Sequence, residues 1–300
     1  MEEQLLAFLS HLQREYKYSE NTIAAYRNDL SQYLEFIETH SGTRLTEWSA
    51  VTEDDIEAYL AYMKHKDQPY ASSTIARKVA AIKSFYNYLT AEGIVEENPA
   101  IDIDSPKVKK RLPQTLTFAE VERLLEAPAG NNSAKNLRDL TLLNVLYATG
   151  MRVTEVVSIQ LEDVEIERSI LSSPTRQGDA REIPLEESTR SLLVEYMAEG
   201  RPQLAKDKYE RALFLNHRGE KLTRQGLWLI IKGYARQVGL NTEVTPHTLR
   251  HSFAVHRLSK GSKLEDIQRL LGHANISTTQ IYTQMEPSQE EETAPTPAVA

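Results

Sequence analysis

The amino-acid sequence predicts a mainly α protein with a small β-sheet, built as an N-terminal four-helix domain and a mixed α/β second domain. Apolar residues recur at helical spacing through residues 1–100, and a basic, proline-containing stretch follows at 101–115. Further on, two strand-like segments flank a turn-rich loop at 172–180. A chain of 300 residues is long enough for two domains that each bury a core.

The four helices of the first domain are predicted by apolar faces and local start signals. Ser19 can cap the second helix, and Thr52 with Asp55 has the spacing of a capping box at the start of the third. Ser72 or Ser73 begins the fourth. We expect three cations of this fourth helix to lie outside the core and to contact an anionic partner: Arg77, Lys78 and Lys83.

Residues 101–115 are predicted to form an extended linker, because Pro106 and Pro113 accompany a run of cations. The cations of this run, which are available to the same partner, are Lys107, Lys109, Lys110 and Arg111. Thr117 and Glu120 then have the spacing of a second capping box. They mark the start of the second domain.

The second domain is predicted to alternate helices with one pair of strands. Over residues 116–285, the prediction places a helix at 137–148, strands at 164–171 and 181–185, and a helix at 186–197, with helices to the end. The helix at 137–148 stops at Gly150, which places Arg152 just beyond a helix end. Thr245 as cap and Pro246 in the first turn begin the helix that carries His247.

Composition excludes several classes of protein. Hydrophobic residues make up 40% of the chain and charged residues 26%, as in ordinary globular proteins. The chain has no cysteine, no basic N-terminal region of a signal peptide and no apolar run long enough for a bilayer, so we expect a cytoplasmic protein. Residues 286–300 combine three prolines and four glutamates with little to bury, and predict a disordered acidic tail.

Five residues of the second domain predict a phosphate site with its own nucleophile. In chain order they are Arg152, His247, Arg250, His273 and Tyr282. Arginine matches phosphate oxygens in bidentate fashion and neutralises them. Histidine can donate a hydrogen bond or move a proton near neutral pH. A tyrosine hydroxyl becomes a nucleophile when a cationic pocket favours its anion.

Each of these residues also has an ordinary structural explanation. His247 and His251 are four apart, which is metal-ligand spacing, but no glutamate lies between them. Most of the 14 tyrosines should be packing residues, and Tyr282 stands out because it follows His273 closely. Arg152 alone would be a surface arginine more often than a catalytic one. The occurrence of all five in this order favours the phosphate site.

The charge distribution favours DNA as the partner, although the formal net charge of -8 argues against it. Ten basic residues and only two acidic ones lie between residues 211 and 263, around the proposed site, and Arg224 is among them. The alternative is that these charges are solvated helix faces. Their position around the phosphate site favours binding to DNA.

The order Arg, His-x-x-Arg, His, Tyr resembles the catalytic signature of the tyrosine recombinases of phage-integrase type, and within them the Xer-like group. The resemblance extends over about residues 1–285. It implies a helical core-binding domain and a tyrosine-recombinase catalytic domain that clamp duplex DNA. It also implies a site-specific recombinase that cuts and rejoins strands through a 3′-phosphotyrosyl link, without cofactor or metal, within a homo- or hetero-tetramer. Dimer resolution of chromosomes or plasmids and integration or excision of mobile elements all use this chemistry.

Carried onto this sequence, the resemblance assigns each residue a role. Arg152 and Arg250 bind the phosphate, His247 and His273 assist by hydrogen bonding or proton transfer, and Tyr282 is the nucleophile. Glu155 takes a supporting place beside the first arginine. The sequence departs from the family at the hairpin lysine that is thought to protonate the leaving oxygen, because Arg176 occupies that position. Arginine stays charged and is a poor proton donor, so Arg176 acts by electrostatics, another group supplies the proton, or cleavage is slow.

Two rival functions remain at this point. With its acid replaced, the protein would be a non-cleaving DNA-binding partner of another recombinase, although Tyr282 and both arginines are retained. A metal-dependent nuclease would need a cluster of carboxylates, which the motif lacks.

Overall fold

The computed structural model of the chain describes residues 1–39, 45–65, 67–107, 113–130, 133–173, 181–240, 243–273 and 275–285. The chain divides into two compact units, Met1–Lys110 and Arg111–Ala300. The predicted mainly α fold with a small sheet is confirmed.

The first unit is built from four helices, as predicted. They are α1 (Glu2–Glu15), α2 (Glu20–Thr39), α3 (Glu53–His65) and α4 (Ser72–Ala91), with a 3-10 turn at Trp48–Ala50. The predicted capping box at the start of α3 is confirmed, since Asp55 Oδ2 accepts from the Thr52 amide at 2.9 Å. The apolar faces of the helices meet in one core around Tyr33, Ile56 and Phe85.

The structure corrects one prediction for α4. Lys78 was expected on the outside of the helix, but only 2% of its side chain is exposed. Its ammonium donates to Asp29 Oδ1 at 3.1 Å and to Gln32 Oε1 at 2.9 Å, both on α2. A buried carboxylate requires a charged partner, and Lys78 supplies it. The Lys78 side chain therefore holds α4 against α2 and is not free to contact DNA.

The second unit contains nine helices among its described residues. They are α5 (Phe118–Glu126), α6 (Ala134–Thr149), α7 (Val153–Val156), α8 (Glu187–Glu195), α9 (Arg201–Leu204), α10 (Arg224–Gln237), α11 (Pro246–Ser259), α12 (Leu264–Leu271) and α13 (Ser277–Gln280). The capping box of Thr117 and Glu120 begins α5, as predicted. Gly150 ends α6 with a left-handed backbone at φ 58°, and Thr245 caps α11 through the Thr248 amide. These local signals fix the helix ends from which the site is built.

The sheet has three antiparallel strands, where the sequence predicted two. They are β1 (Val164–Glu165), β2 (Ile170–Ser173) and β3 (Arg181–Pro184), in the order β1-β2-β3. The single predicted strand over 164–171 is wrong, because the chain reverses at Ser169, whose φ of 55° is left-handed. Leu171 pairs with Ile183 and both are buried in the core of the second unit. This register directs Arg181, two residues before Ile183, towards the same side as the core.

Among the described residues, none of the helices has the length and apolar character needed to cross a membrane. The predicted disordered tail at 286–300 lies outside the described residues.

Candidate active site

The ends of four elements of the second unit meet around one cavity of about 420 Å³. Arg152 follows the end of α6, His247 and Arg250 lie on α11, His273 follows α12, and Tyr282 lies in a 3-10 turn at Ile281–Gln284. The described residues that line the cavity are Pro113, Arg152, His247, Arg250, His251, His273, Ser277, Thr278, Ile281 and Tyr282. The structure thus brings together the five residues that the sequence singled out.

Arg250 is the buried cation of this cavity. Its guanidinium donates to the backbone oxygens of Gly150 and Leu271, the latter at 2.7 Å, and lies 3.0 Å from His273 Nε2. None of these partners is a carboxylate. Burial, and secondarily the neighbouring Arg152, lowers the pKa of Arg250 to about 10, so the group stays charged at neutral pH. An anion that enters the cavity would meet a charge that has no hydrogen-bonded carboxylate.

Arg152 is more open and forms an ion pair with Glu155. The Arg152 guanidinium donates to Glu155 Oε1 at 3.0 Å and to the Gly272 carbonyl at 3.1 Å. Its side chain is 42% exposed, so it can meet a ligand that arrives from solvent. Burial raises the pKa of Glu155, but its hydrogen bonds from Arg181 and Arg152 outweigh burial and hold that pKa below its usual value.

Arg181 is a member of the site that sequence reasoning missed. Its guanidinium donates to both oxygens of Glu155, at 3.2 and 2.9 Å, and is 14% exposed. One carboxylate therefore faces two arginines, and the site keeps a net positive charge. The signal in the sequence was an arginine two residues before the buried Ile183 on a strand, which places it on the inward face.

The two predicted histidines occupy different environments. His247 is exposed at the mouth of the cavity. His273 is half-buried, with Nδ1 2.9 Å from the Thr279 hydroxyl and Nε2 beside Arg250. Burial, and then the positive charges of Arg250 and Arg152, lowers the pKa of His273 to about 4. His273 is therefore neutral at pH 7 and can act as a hydrogen-bonding group.

Tyr282 is the predicted nucleophile, and its side chain is buried against the cavity wall. Burial raises the pKa of its hydroxyl, while the charges of Arg250 and Arg152 lower it. The hydroxyl lies 2.9 Å from His251 Nδ1. Sequence reasoning considered His251 only as a metal ligand, because its spacing to His247 gave no hint of a contact with Tyr282. Of the described residues, no three His, Cys, Asp or Glu side chains come together as a metal site.

The other predicted residues are the hairpin residue Arg176 and those predicted to contact DNA. Arg176, Lys109, Lys110 and Arg111 lie outside the described residues. Lys107 and Arg224 are exposed, Arg77 pairs with Asp29, and Lys83 donates to the Ile101 carbonyl at 3.1 Å. Exposure leaves Lys107 and Arg224 accessible to a polyanion, whereas Arg77 and Lys83 already have partners.

Two family models match the chain in sequence. The model described as the phage integrase family matches residues 114–289, and a phage integrase N-terminal SAM-like domain matches residues 5–93. Together they extend over both compact units.

Individual proteins give the same result. The chain is 49% identical to the tyrosine recombinase XerC of Roseiflexus castenholzii, over 95% of this chain and 90% of that protein. It is 39% identical to the tyrosine recombinase XerD of Listeria monocytogenes, over 92% of each. The crystal structure of the XerH site-specific recombinase bound to a palindromic difH substrate shares the fold, with a TM-score of 0.74 at 23% identity, over 88% of this chain and 76% of that one. The chain therefore belongs to the phage integrase family, as a tyrosine site-specific recombinase.

Proposed function

We propose that this recombinase cuts and rejoins DNA through attack of the Tyr282 hydroxyl on a backbone phosphate. The Tyr282 hydroxyl gives up its proton to solvent as its oxygen forms a bond to phosphorus. The bond to the 5′-oxygen breaks, that oxygen takes up a proton to become a 5′-hydroxyl, and the DNA is held as a 3′-phosphotyrosyl ester. A 5′-hydroxyl of the partner strand then reverses the step and releases the tyrosine. The proposal rests on the placement of Tyr282, Arg152 and Arg250 around one cavity.

The two arginines are proposed to bind the non-bridging oxygens of the phosphate. Arg250 already lies in the cavity wall, held by two carbonyl groups, so it loses little freedom when the phosphate binds. Arg152 is oriented by Glu155 and approaches from the exposed side. Positioned cations of this kind stabilise the negative charge that builds up in the transition state.

The histidines are proposed to complete the set of hydrogen-bond donors around the phosphate. His247 lies at the mouth of the cavity, on the same helix as Arg250. His273 is neutral near pH 7, and because a guanidinium only donates, its Nε2 accepts from Arg250 while Nδ1 carries the proton beside the Thr279 hydroxyl. When a phosphate oxygen replaces Nε2 as the acceptor for Arg250, the ring proton can move to Nε2, which then donates to the phosphate. Arg176 is proposed to contact the leaving 5′-oxygen electrostatically, in place of the family's lysine.

Duplex DNA with a specific recombination site is the proposed partner. Solved relatives support this, since XerH is bound to difH substrate and a λ integrase dimer is bound to a core site. We propose residues 1–100 as the core-binding domain, 101–115 as a basic linker and 116–285 as the catalytic domain. By analogy with the family, we further propose that four recombinase subunits assemble on two sites.

A trapping experiment tests this function. Nicked duplex fragments from the host genome are incubated with the protein and denatured, because a nick lets the cleaved end diffuse away and leaves the covalent complex. We expect DNA attached to the wild-type protein and none attached to Tyr282→Phe, and sequencing of the trapped DNA gives the site. Tight native binding without any covalent product, also for Arg176→Lys, would instead identify a non-cleaving DNA-binding partner.

A further inference from the structure

One histidine of the cavity has no role in the chemistry described so far. His251 lies on α11 next to Arg250 and one turn from His247, whose ring centre is 6.5 Å away. Its Nδ1 is 2.9 Å from the Tyr282 hydroxyl, and the two ring centres are 5.5 Å apart. Among the described residues, His251 is the hydrogen-bond partner of the Tyr282 hydroxyl.

The protonation states of the two groups set the direction of this hydrogen bond. Burial raises the pKa of the Tyr282 hydroxyl, so the oxygen carries its proton at neutral pH. Burial, and then the charges of His247 and Arg250, lowers the pKa of His251 to about 4, so the ring is neutral. A buried hydroxyl proton requires an acceptor. The hydroxyl of Tyr282 therefore donates, and His251 Nδ1 accepts.

This direction matters for the attack on phosphorus. When the O–H bond of Tyr282 points at His251, the lone pairs of the oxygen point away from His251. The ring of His273 lies nearly parallel to the tyrosine ring, with centres 6.5 Å apart. An attacking oxygen reacts fastest when it is held close to the attack geometry before the reaction.

We propose that His251 is a positioning residue, which holds the Tyr282 hydroxyl by accepting its hydrogen bond and so sets the direction from which the oxygen attacks the phosphate. The proposal rests on the proposed function of Tyr282 as nucleophile. The role needs an acceptor at the position of Nδ1 and does not need a group that takes up a proton.

Two substitutions separate this role from simple packing. His251→Asn places an amide oxygen at about the position of Nδ1 and keeps an acceptor. His251→Leu keeps most of the volume and removes the acceptor. The measurement is the single-turnover rate of covalent complex formation on the nicked duplex that traps the wild-type protein, with excess protein. DNA affinity and the thermal melting temperature are measured for the same samples.

We expect His251→Leu to react roughly tenfold to a hundredfold more slowly, as for a hydroxyl that loses its acceptor, with DNA affinity unchanged. His251→Asn should recover most of the rate, to within about threefold of wild type. Equal rates for the leucine variant and the wild type would overturn the proposal. So would an asparagine variant as slow as the leucine variant, because an acceptor alone would then not be sufficient.

The same helix provides a matched control. His256 Nδ1 lies 2.7 Å from the Tyr147 hydroxyl, so α11 carries a second histidine–tyrosine pair of the same kind that does not line the cavity. His256→Leu should lower the melting temperature and leave the rate of the folded protein unchanged. A slowing as large as that of His251→Leu would mean that any disturbance of α11 slows the enzyme, and would contradict a specific role for His251.

Failure of this proposal is distinguishable from failure of the proposed function. If the wild-type protein forms no covalent product, the function of Tyr282 itself is refuted. If the wild type forms product, Tyr282→Phe does not, and His251→Leu reacts normally, only the role of His251 is refuted.

Discussion

Two buried arginines of the second unit, Arg138 and Arg250, show how differently the same side chain can be compensated. Arg138 donates to Asp139 Oδ1 from two nitrogens, at 2.8 and 2.6 Å, and to the Leu215 carbonyl at 2.8 Å. Arg250 is equally buried, but its hydrogen bonds go to two carbonyl groups and to His273. Only the first arginine has a carboxylate within hydrogen-bonding distance.

The difference separates a structural cation from a functional one. A buried ion pair such as Arg138 with Asp139 is complete within the fold and has little charge left for a ligand. A buried guanidinium with only dipolar partners retains its charge, and its burial costs free energy until an anion binds. We therefore expect opposite consequences when each arginine is replaced.

The largest effect is expected for stability in Arg138→Met. Without the cation, the fully buried carboxylate of Asp139 keeps two partners, the Tyr234 hydroxyl at 3.0 Å and the ammonium of the exposed Lys135 at 3.7 Å. We expect the free energy of unfolding to fall by about 3 kcal/mol, measured by chemical denaturation. The double variant with Asp139→Asn should recover much of this loss. Equal stability of Arg138→Met and the wild type would show that the fold does not depend on the Arg138 ion pair, and would contradict its description as a structural cation.

The next effect is expected for catalysis in Arg250→Met. Loss of a cation that stabilises the transition state should slow covalent complex formation by about 10²–10³-fold on the nicked duplex. The unfolding free energy should change less than in Arg138→Met, because relief of the buried charge offsets the lost carbonyl bonds. If Arg250→Met were strongly destabilised but cleaved at the wild-type rate when folded, Arg250 would be a structural cation and not a functional one.

A smaller effect is expected when an inorganic anion occupies the cavity. Phosphate that binds near Arg250 should stabilise the wild-type protein by about 1.4 kcal/mol at ten times its dissociation constant. Thermal melting with increasing phosphate, at constant ionic strength, measures this shift. Arg250→Met should show little of it, and Arg138→Met combined with Asp139→Asn should keep it. Equal shifts in all three proteins would place the anion elsewhere.

A further effect on stability concerns His273, which lies beside the charge of Arg250. Its pKa is lowered to about 4 in the folded protein from a usual value of 6.5, so below pH 6.5 the unfolded chain binds a proton that the folded chain does not. Stability should therefore decrease as the pH falls from about 6.5 towards 4. Melting temperatures at pH 7 and pH 5 should differ less for His273→Asn than for the wild type. The same slope in both proteins would show that other groups control the acid sensitivity.

Local signals explain what the sequence could predict. Thr117 with Glu120, Gly150 and Thr245 each act within one helical turn, and all three helix ends lie where the sequence placed them. The order of the five motif residues predicted that they share a site, and the structure brings them to one cavity. Their individual roles remain proposals.

Contacts between distant segments explain what the sequence could not predict. Lys78 is buried because Asp29, 49 residues earlier, faces it. Arg181 reaches Glu155 from a separate strand, and His251 reaches Tyr282 across 31 residues. The sequence spacing of these pairs does not predict their contacts, because the partners meet only after helices and strands have packed.

The carbonyl groups that hold the two arginines of the cavity all belong to helix ends. Gly150 ends α6, and Leu271 and Gly272 end α12. The last carbonyls of a helix carry the negative end of its macrodipole, equivalent to about half an elementary charge. Two such ends attract the guanidinium groups without cancelling their charge. A carbonyl also has no proton to gain, so this part of the support for the arginines does not titrate between acid and alkaline pH.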